Sequence, residues 1–281
     1  MKSGRRAAVL GSPIAHSLSP LLHRTAYDVL GLRGWTYAAY DVNAGELPAF
    51  IEQLDASWAG LSLTMPLKAA VLPLLDTCSP MVEVVGAANT VLPRAGGLHG
   101  QNTDVPGMVA ALRRSGTLSW GDAAVLGGGA TARSAIAAVA QLCSRVTVFL
   151  RSTARHDELA RTADATGVQL EVRRWHEAAD ALTAGLVVNT TPAGAADELA
   201  AAVPERPGLL FDVVYSPWPT PVAAAWKDRG GQVVGGVELL VQQAVRQVAL
   251  MTGSVFDEAE TVRRLRLVAE LALSSGRRPT A

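Results

Sequence analysis

Short apolar strands alternate with amphipathic helical segments along the first hundred residues. Runs rich in Val, Leu, Tyr and Trp are bounded by polar turns, and the segments between them carry apolar residues at helical spacing. The pattern predicts strands at Arg6–Leu10, Trp35–Tyr40, Trp58–Thr64, Thr90–Leu92 and Gly97–His99, and helices at Pro20–Leu30, Ala44–Leu54 and after Lys68. This alternation is typical of βαβ units on a largely parallel sheet.

A second α/β series begins near Pro106. It predicts strands at Ala123–Leu126, Val146–Leu150, Val168–Val172, Leu186–Asn189, Leu209–Val214 and Gln232–Val234, and helices at Val109–Arg114, Ala132–Leu142 and Glu158–Ala165. Two longer helices follow, Glu238–Thr252 and Asp257–Leu273, before a polar tail, Ser274–Ala281, that we expect to be frayed. The fold class is therefore α/β, and 281 residues suggest about two domains.

A glycine-rich turn joins one of these strands to a helix. Gly127, Gly128 and Gly129 are followed by Ala130 and Thr131, so the segment to Ala132 fits G-x-G-x-x-A. Glycines let the backbone approach a pyrophosphate, and the helix N-terminus offers it N–H donors. Because a strand precedes the turn and a helix follows it, the turn predicts a dinucleotide site rather than a ligand-free loop.

The next strand indicates which dinucleotide binds. NAD-binding folds usually end this strand with an acid that takes the ribose 2′-hydroxyl. Here the segment contains Arg151, Ser152, Thr153 and Arg155, and its first acid is Asp157. Two arginines with hydroxyl groups suit a 2′-phosphate, so we expect NADP(H) as the cofactor; a solvated helix start is the structural alternative.

Composition excludes several other classes. The 25 basic and 25 acidic residues give zero formal net charge, which disfavours a nucleic-acid or anionic-membrane partner. Cys78 and Cys143 stand alone and the five histidines are scattered, so no metal site is expected. The N-terminus lacks the apolar region of a signal peptide, and no apolar run is long enough to span a bilayer. We expect a soluble cytoplasmic protein.

Lysine is rare in this chain, which draws attention to Lys68. Lys2, Lys68 and Lys227 are the only lysines, and the other basic residues among the 25 are arginines. Arginine cannot move a proton near neutral pH, whereas a lysine can when its surroundings tune it. Lys68 follows the apolar stretch Leu61–Leu67, so it is placed at a strand end.

Other polar residues near turns have structural explanations when they are taken singly. Ser17 and Ser19 precede a helix and could hold a carboxylate, but Ser19 before Pro20 is also a good N-cap. Asn89 and Asp104 lie at tight turns, where Asn and Asp are common for structural reasons.

Taken together, the motifs resemble those of the shikimate dehydrogenase family. They run in the family's order over most of the chain: Ser17-Leu-Ser-Pro20, Leu63-Thr-Met-Pro-Leu-Lys68, Gly86-Ala-Ala-Asn-Thr90, Asn102-Thr-Asp104, Asn189-Thr-Thr-Pro-Ala-Gly194, Tyr215-Ser-Pro-Trp-Pro-Thr-Pro221 and Leu239-Leu-Val-Gln-Gln243. Four positions depart from the usual pattern, namely Pro80, Val105, Leu150 and Glu238.

The resemblance implies reversible NADPH-dependent reduction of 3-dehydroshikimate to shikimate, in aromatic amino acid biosynthesis. It implies Lys68 as the general acid and base with Asp104 as its partner. Substrate contacts would come from Ser17, Ser19, Thr64, Lys68, Asn89, Asp104, Tyr215 and Gln243. Cofactor contacts would come from Gly127–Thr131, Arg151, Ser152, Thr153 and Arg155, with Val213 and Gly236 near the nicotinamide.

The resemblance also implies two α/β domains flanking a cleft. Residues 1–104, completed by 238–273, would form the substrate-binding and catalytic domain. Residues 105–237 would form a Rossmann-type NADP-binding domain with a doubly wound parallel sheet, and 274–281 the tail. The protein would be a monomer or homodimer whose partner is its small-molecule substrate.

Two alternatives stay open. A quinate or aminoshikimate dehydrogenase could use the same scaffold, although the paired serines and the missing acid favour shikimate with NADP(H). A sensing module could bind shikimate-like acids without turnover, although Lys68, Asp104 and the glycine turn together argue for catalysis.

Overall fold

The computed structural model describes residues 5–116 and 120–275. The strands in this part of the chain are β1 (Arg6–Gly11), β2 (Thr36–Asp41), β3 (Trp58–Leu63), β4 (Thr77–Cys78), β5 (Thr90–Arg94), β6 (Gly97–Gln101), β7 (Ala123–Leu126), β8 (Arg145–Leu150), β9 (Gln169–Arg174), β10 (Leu186–Asn189), β11 (Leu209–Asp212) and β12 (Gln232–Gly235). The α-helices are α1 (Ser19–Val29), α2 (Leu47–Glu52), α3 (Leu67–Ala70), α4 (Pro80–Val85), α5 (Asp104–Arg113), α6 (Ala130–Val139), α7 (His156–Thr166), α8 (Pro221–Asp228), α9 (Gly236–Thr252) and α10 (Glu258–Ser274). Short 3₁₀ segments occur at Leu72–Leu74, Thr153–Arg155, Trp175–Thr183 and Asp197–Ala202.

The described chain divides into two compact units. One comprises the described residues up to Thr103 together with those from Leu240 onward, and the other comprises Asp104–Leu239. Each unit contains a six-stranded sheet. The domain roles that the sequence suggested for these segments stay predictions.

The sheet of the first unit has the order β2-β1-β3-β5-β6-β4. β1 pairs in parallel with β2 and β3, β4 pairs in parallel with β6, and β5 is antiparallel to β3 and β6. Its apolar core includes Leu10, Leu61 and Val91, none of which is exposed. Since β5 runs opposite to β3, it starts at the edge of the sheet where β1 and β3 end.

The sheet of the second unit is parallel throughout, with the order β12-β11-β10-β7-β8-β9. If its strands are renumbered from β7, this order is 3-2-1-4-5-6 read from the β9 edge, which is the doubly wound Rossmann arrangement. All four residues of β7 are buried, as expected for a central strand covered on both faces. The sequence prediction of an α/β fold with a Rossmann-type sheet is confirmed.

Among the strands and α-helices of residues 5–116 and 120–275, β4, α4 and α8 lie outside the sequence predictions. The signal for α8 is local, because Thr220 Oγ1 accepts the Ala223 N–H at 3.1 Å and Pro221 occupies the first helical turn. Trp226 then anchors this helix, with its side chain fully buried and Nε1 donating to the Gly208 carbonyl at 3.0 Å.

The C-terminal helix α10 begins at a capping residue. Asp257 Oδ1 accepts the Glu260 N–H at 3.0 Å. The helix ends at Ser274, one residue beyond the predicted end. The predicted frayed tail, apart from Ser274 and Ser275, lies outside the described residues.

Candidate active site

The carboxyl ends of β1 and β3 bring two polar loops together in the first unit. Thr64 N–H donates to the Leu10 carbonyl at 2.9 Å, and Ser12 N–H donates to the Met65 carbonyl at 3.0 Å. Gly11 makes this approach possible, because a Cβ there would overlap Thr64 Cγ2 and lie 2.9 Å from the Met65 carbonyl oxygen. The loop that holds the two serines therefore starts beside Thr64.

Ser17 and Ser19 interact with each other. Ser17 is half-buried, and its Oγ accepts the backbone N–H of Ser19 at 3.2 Å. Ser19 is 6% exposed and is the first residue of α1, where the sequence analysis allowed an N-cap instead. The bond uses an oxygen lone pair of Ser17, so the hydroxyl hydrogen can be directed to an anion.

Lys68 lies in the short helix α3, four residues beyond Thr64, and its side chain is half-buried. Its carbonyl accepts the Ala88 N–H at 2.8 Å, and Leu63 N–H donates to the Asn89 carbonyl at 2.8 Å. Backbone hydrogen bonds thus hold the segment of Lys68 against that of Asn89, although the two positions are distant in sequence.

The side chain of Asn89 is buried and oriented by Thr103. Asn89 Oδ1 accepts the Thr103 N–H at 2.8 Å, and Asn89 Nδ2 donates to Thr103 Oγ1 at 2.9 Å. An amide flip would place Nδ2 against a backbone donor, so only one orientation satisfies the network. Asp104, 5% exposed, follows Thr103 directly and is the first residue of α5 in the second unit.

Helix α9 carries two buried glutamines in the first unit, Gln243 and Gln247. Gln243 Nε2 donates to the Leu240 carbonyl at 2.9 Å. Gln247 Nε2 donates to the Asn89 carbonyl at 3.1 Å and to Thr90 Oγ1 at 3.0 Å. Sequence reasoning named Gln243 and missed Gln247; the available signal was a second glutamine four residues later, on the same helix face.

The carboxamide oxygen of Gln247 lies within hydrogen-bonding distance of several groups in a buried polar network. Ser62 Oγ donates to it at 2.8 Å, and Tyr37 Oη donates to Ser62 Oγ at 2.6 Å. His23 Nε2 also lies 3.3 Å from this oxygen, and its ring stacks on Tyr37 with centroids 3.9 Å apart. Burial lowers the pKa of His23 to about 3, against the opposing effect of the Gln247 hydrogen bond, so the ring is neutral at physiological pH.

In the second unit, the glycine turn joins β7 to α6 as predicted. Gly127 has φ of +105°, which L side chains rarely adopt, and a Cβ there would lie 2.8 Å from Thr190 Oγ1. A Cβ on Gly128 would lie 2.6 Å from Leu150 Cδ2. Gly129 is the N-cap of α6, so the N–H groups of Ala130 and Thr131 begin the helix.

The arginine loop after β8 lies beside this turn. A terminal guanidinium nitrogen of Arg155 lies 3.7 Å from the position that a Cβ on Gly129 would occupy. Ser152 Oγ accepts the Ala154 N–H at 3.3 Å and caps the 3₁₀ segment that includes Thr153 and Arg155. Arg151 is exposed. The glycine backbone and at least one guanidinium group thus line the same surface, as a dinucleotide with an additional phosphate requires.

Val213 and Gly236 are neighbours in the second unit. A Cβ on Gly236 would overlap the Val213 carbonyl oxygen, so this close approach needs glycine. Tyr215 follows at two residues from Val213 and is half-buried. Burial raises the pKa of the Tyr215 phenol above its ordinary value, so the group stays a hydroxyl donor well beyond neutral pH.

Known proteins match the chain over nearly its whole length. The family model described as the shikimate dehydrogenase substrate-binding domain matches residues 9–91, the segment that contains Ser17, Ser19, Thr64, Lys68 and Asn89. The shikimate dehydrogenase (NADP(+)) of Thermus thermophilus is 37% identical over 266 residues, which cover 92% of this chain and 98% of the relative. The chain belongs to the shikimate dehydrogenase family.

Solved structures of shikimate dehydrogenases have the same fold. That of Mycobacterium tuberculosis has a TM-score of 0.83 and 37% identity, and the match covers 94% of this chain and 99% of that chain. A Thermus thermophilus enzyme in complex with NADP(H) and shikimate has a TM-score of 0.79 and 34% identity, with 94% and 99% covered.

This member of the shikimate dehydrogenase family also contains a buried carboxylate that the sequence analysis missed. Asp212 ends β11, is fully buried, and accepts hydrogen bonds from Asn189 Nδ2 at 3.1 Å, Val214 N–H at 3.1 Å and Thr220 Oγ1 at 2.7 Å. Burial raises its pKa, and the three hydrogen bonds oppose that shift. Its signal was an acid within a predicted apolar strand, between the Asn189 and Tyr215 motifs.

Two further findings concern membrane-spanning helices and groups of metal-binding side chains. Within residues 5–116 and 120–275, no helix is long and apolar enough to cross a membrane. The same residues hold no group of three or more His, Cys, Asp or Glu side chains that could bind a metal ion.

Proposed function

We propose that this protein catalyses the reversible NADPH-dependent reduction of 3-dehydroshikimate to shikimate, a step of aromatic amino acid biosynthesis. The observation that carries the proposal is the match to 98% of the length of the Thermus shikimate dehydrogenase (NADP(+)). A similar enzyme from that genus forms a complex with NADP(H) and shikimate.

The second unit fits NADP(H). Gly127, Gly128 and Gly129 form the turn before α6, and the first turn of that helix would supply N–H donors from Ala130 and Thr131 to a pyrophosphate. Arg151, Ser152, Thr153 and Arg155 would hold the adenosine end with its 2′-phosphate, and Val213 and Gly236 would border the nicotinamide. When bound, the reduced cofactor supplies a hydride to the substrate carbonyl carbon.

Lys68 supplies the proton. As negative charge develops on the carbonyl oxygen, its ammonium group stabilises that charge and donates a proton to form the new hydroxyl. Water then reprotonates Lys68, and in the oxidative direction the neutral amine accepts the hydroxyl proton. Asp104 positions Lys68 and accepts a hydrogen bond from an adjacent substrate hydroxyl.

The remaining substrate contacts follow from the types of the side chains. Ser17 and Ser19 donate hydroxyl hydrogens to the substrate carboxylate, together with Tyr215. Thr64, Asn89 and Gln243 bind ring hydroxyls, and the fixed orientation of Asn89 makes its amide nitrogen the contact group. On this proposal, residues 1–104 with 238–273 bind substrate, residues 105–237 bind cofactor, and the protein acts as a monomer or homodimer.

A kinetic comparison with two substrates and two cofactors tests the proposal. Shikimate and quinate are each oxidised with NADP⁺ and with NAD⁺, and kcat/KM is measured for the four pairs. We expect the highest value for shikimate with NADP⁺. Efficient NAD-linked quinate oxidation with negligible NADP-linked shikimate oxidation would favour a quinate dehydrogenase, and shikimate binding without turnover would favour a sensing module.

A further inference from the structure

A cavity of about 350 Å³ lies where β8 and β9 end in the second unit, and it is lined by Leu150, Arg151, Arg174, Trp175 and His176. We propose that Arg174 binds the 2′-phosphate of NADP(H) in this cavity together with Arg151. The proposal rests on the proposed function, which supplies the cofactor. It extends phosphate recognition from the loop after β8 to the neighbouring strand.

The strand register directs Arg174 toward the glycine turn. Leu150 pairs with Arg174 in the parallel β8–β9 ladder, and paired residues on neighbouring strands point to the same face. Leu150 faces the turn, because its Cδ2 lies 2.6 Å from the position of a Cβ on Gly128. The Arg174 side chain therefore points to the face of the sheet on which the glycine turn lies. Its backbone is one strand spacing, about 4.8 Å, from that of Leu150.

Arg173 provides an internal contrast. Its guanidinium donates to Glu177 Oε1 at 2.7 Å and to Asp180 Oδ2 at 2.8 Å, so its charge is compensated within the protein. Arg151 and Arg174 form no ion pair within the described ranges 5–116 and 120–275. The second oxygen of Glu177 accepts the backbone N–H of Arg174 at 3.1 Å, so this carboxylate is held by Arg173 and the main chain.

The cavity wall suits an anion joined to an apolar group. Trp175 Nε1 donates to Glu198 Oε1 at 3.1 Å, which fixes the indole, and Leu150 supplies a second apolar surface. A phosphate monoester carries a charge of about −1.5 to −2 and accepts paired hydrogen bonds from more than one guanidinium. The 2′-hydroxyl of NAD carries no charge, so Arg174 would contribute to the choice of cofactor.

Calorimetric binding of two cofactor fragments tests the proposal without turnover. Adenosine 2′,5′-bisphosphate carries the additional phosphate and 5′-AMP lacks it. We expect Arg174→Gln to weaken binding of the bisphosphate about fivefold to twentyfold and to leave 5′-AMP binding unchanged, as for the loss of one charge-assisted contact at a surface. Arg174→Lys keeps the charge but not the paired donors, so it should lose less.

Arg145→Gln is the matched control, because this exposed arginine begins β8, about 16 Å along the strand from Leu150. It should bind both fragments as the wild type does. If Arg151→Gln weakens bisphosphate binding and Arg174→Gln does not, the inference about Arg174 is overturned while the proposed function stands. Equal loss of both fragments in Arg174→Gln also overturns it. Equal wild-type affinity for the two fragments would instead contradict the NADP preference.

Discussion

Asn89 and Thr103 form a paired contact that fixes the direction of a predicted substrate-binding amide. Asn89 Oδ1 accepts the Thr103 N–H at 2.8 Å while Asn89 Nδ2 donates to Thr103 Oγ1 at 2.9 Å. Gln247 supports the same residue from the other side through the Asn89 carbonyl. A residue type that is common at turns is therefore held in one orientation inside the first unit.

Replacing Gln247 should destabilise the protein. Gln247→Leu removes the acceptor of Ser62 Oγ and the donor to the Asn89 carbonyl, leaving both groups buried without that partner. We expect a loss of roughly 2–4 kcal/mol in the free energy of unfolding, measured by urea denaturation. Gln141→Leu, at an exposed position after α6, serves as the control and should change stability by less than about 0.5 kcal/mol. Equal stability of the two variants would contradict the importance of this network.

The stability of the protein should fall as the pH decreases because His23 is buried in its neutral form. Its pKa of about 3 in the folded state lies below the ordinary value of 6.5, so the unfolded chain takes up the proton first. Between pH 6.5 and pH 4 this difference should remove about 3 kcal/mol of stability.

His23→Phe tests that assignment. The variant should have a smaller loss of stability between pH 6.5 and pH 4 in urea titrations at each pH, even if it is less stable at pH 7. His176→Gln, at an exposed site, should keep the wild-type slope. An unchanged slope in His23→Phe would show that other groups cause the pH dependence.

Lys68→Ala should mainly lower turnover. Loss of a general acid and base typically reduces kcat by about 10²–10⁴-fold, with a weaker effect on substrate binding. Steady-state kinetics with shikimate and NADP⁺ would measure both. Lys227→Ala is the control, because it removes another lysine that has no proposed site role. Lys227 lies in α8, with its ammonium 5.6 Å from the Trp218 ring centroid. Near-normal kcat with a raised KM in Lys68→Ala would rule out the proton-transfer role.

Two glycines of the turn between β7 and α6 should differ in their tolerance of alanine. Gly127→Ala places a side chain at φ +105° and 2.8 Å from Thr190 Oγ1, so we expect a cost of about 1–3 kcal/mol in stability and weaker NADP⁺ binding. At Gly129 a Cβ would meet a guanidinium nitrogen of Arg155 at 3.7 Å, an ordinary contact. Gly129→Ala should therefore be close to wild type in urea unfolding. A larger loss of stability in Gly129→Ala than in Gly127→Ala would contradict this account.

Most of the architecture could be predicted from the sequence. Apolar residues repeat about every 3.6 positions in a helix and every 2 in a strand, so their spacing distinguishes the two. β4 and α4 were not predicted, because a two-residue strand and a six-residue helix are too short to show a periodic pattern of apolar residues. The candidate site residues stay predictions; the sequence pointed to them because they lie in short motifs that run in the family's order. It did not point to Gln247 and Asp212, because neither stands in the motif segments by which the family was recognised.

By itself, the sequence determined the α/β class, the glycine turn, the arginine loop and the rare lysine at a strand end, since each depends on local order and residue type. Only the tertiary structure decided which distant positions meet. The register that sets Arg174 beside Leu150 and the hydrogen bonds that join Gln247 to Asn89 depend on strand pairing and helix packing. These contacts link positions far apart in the chain, and no local pattern encodes them.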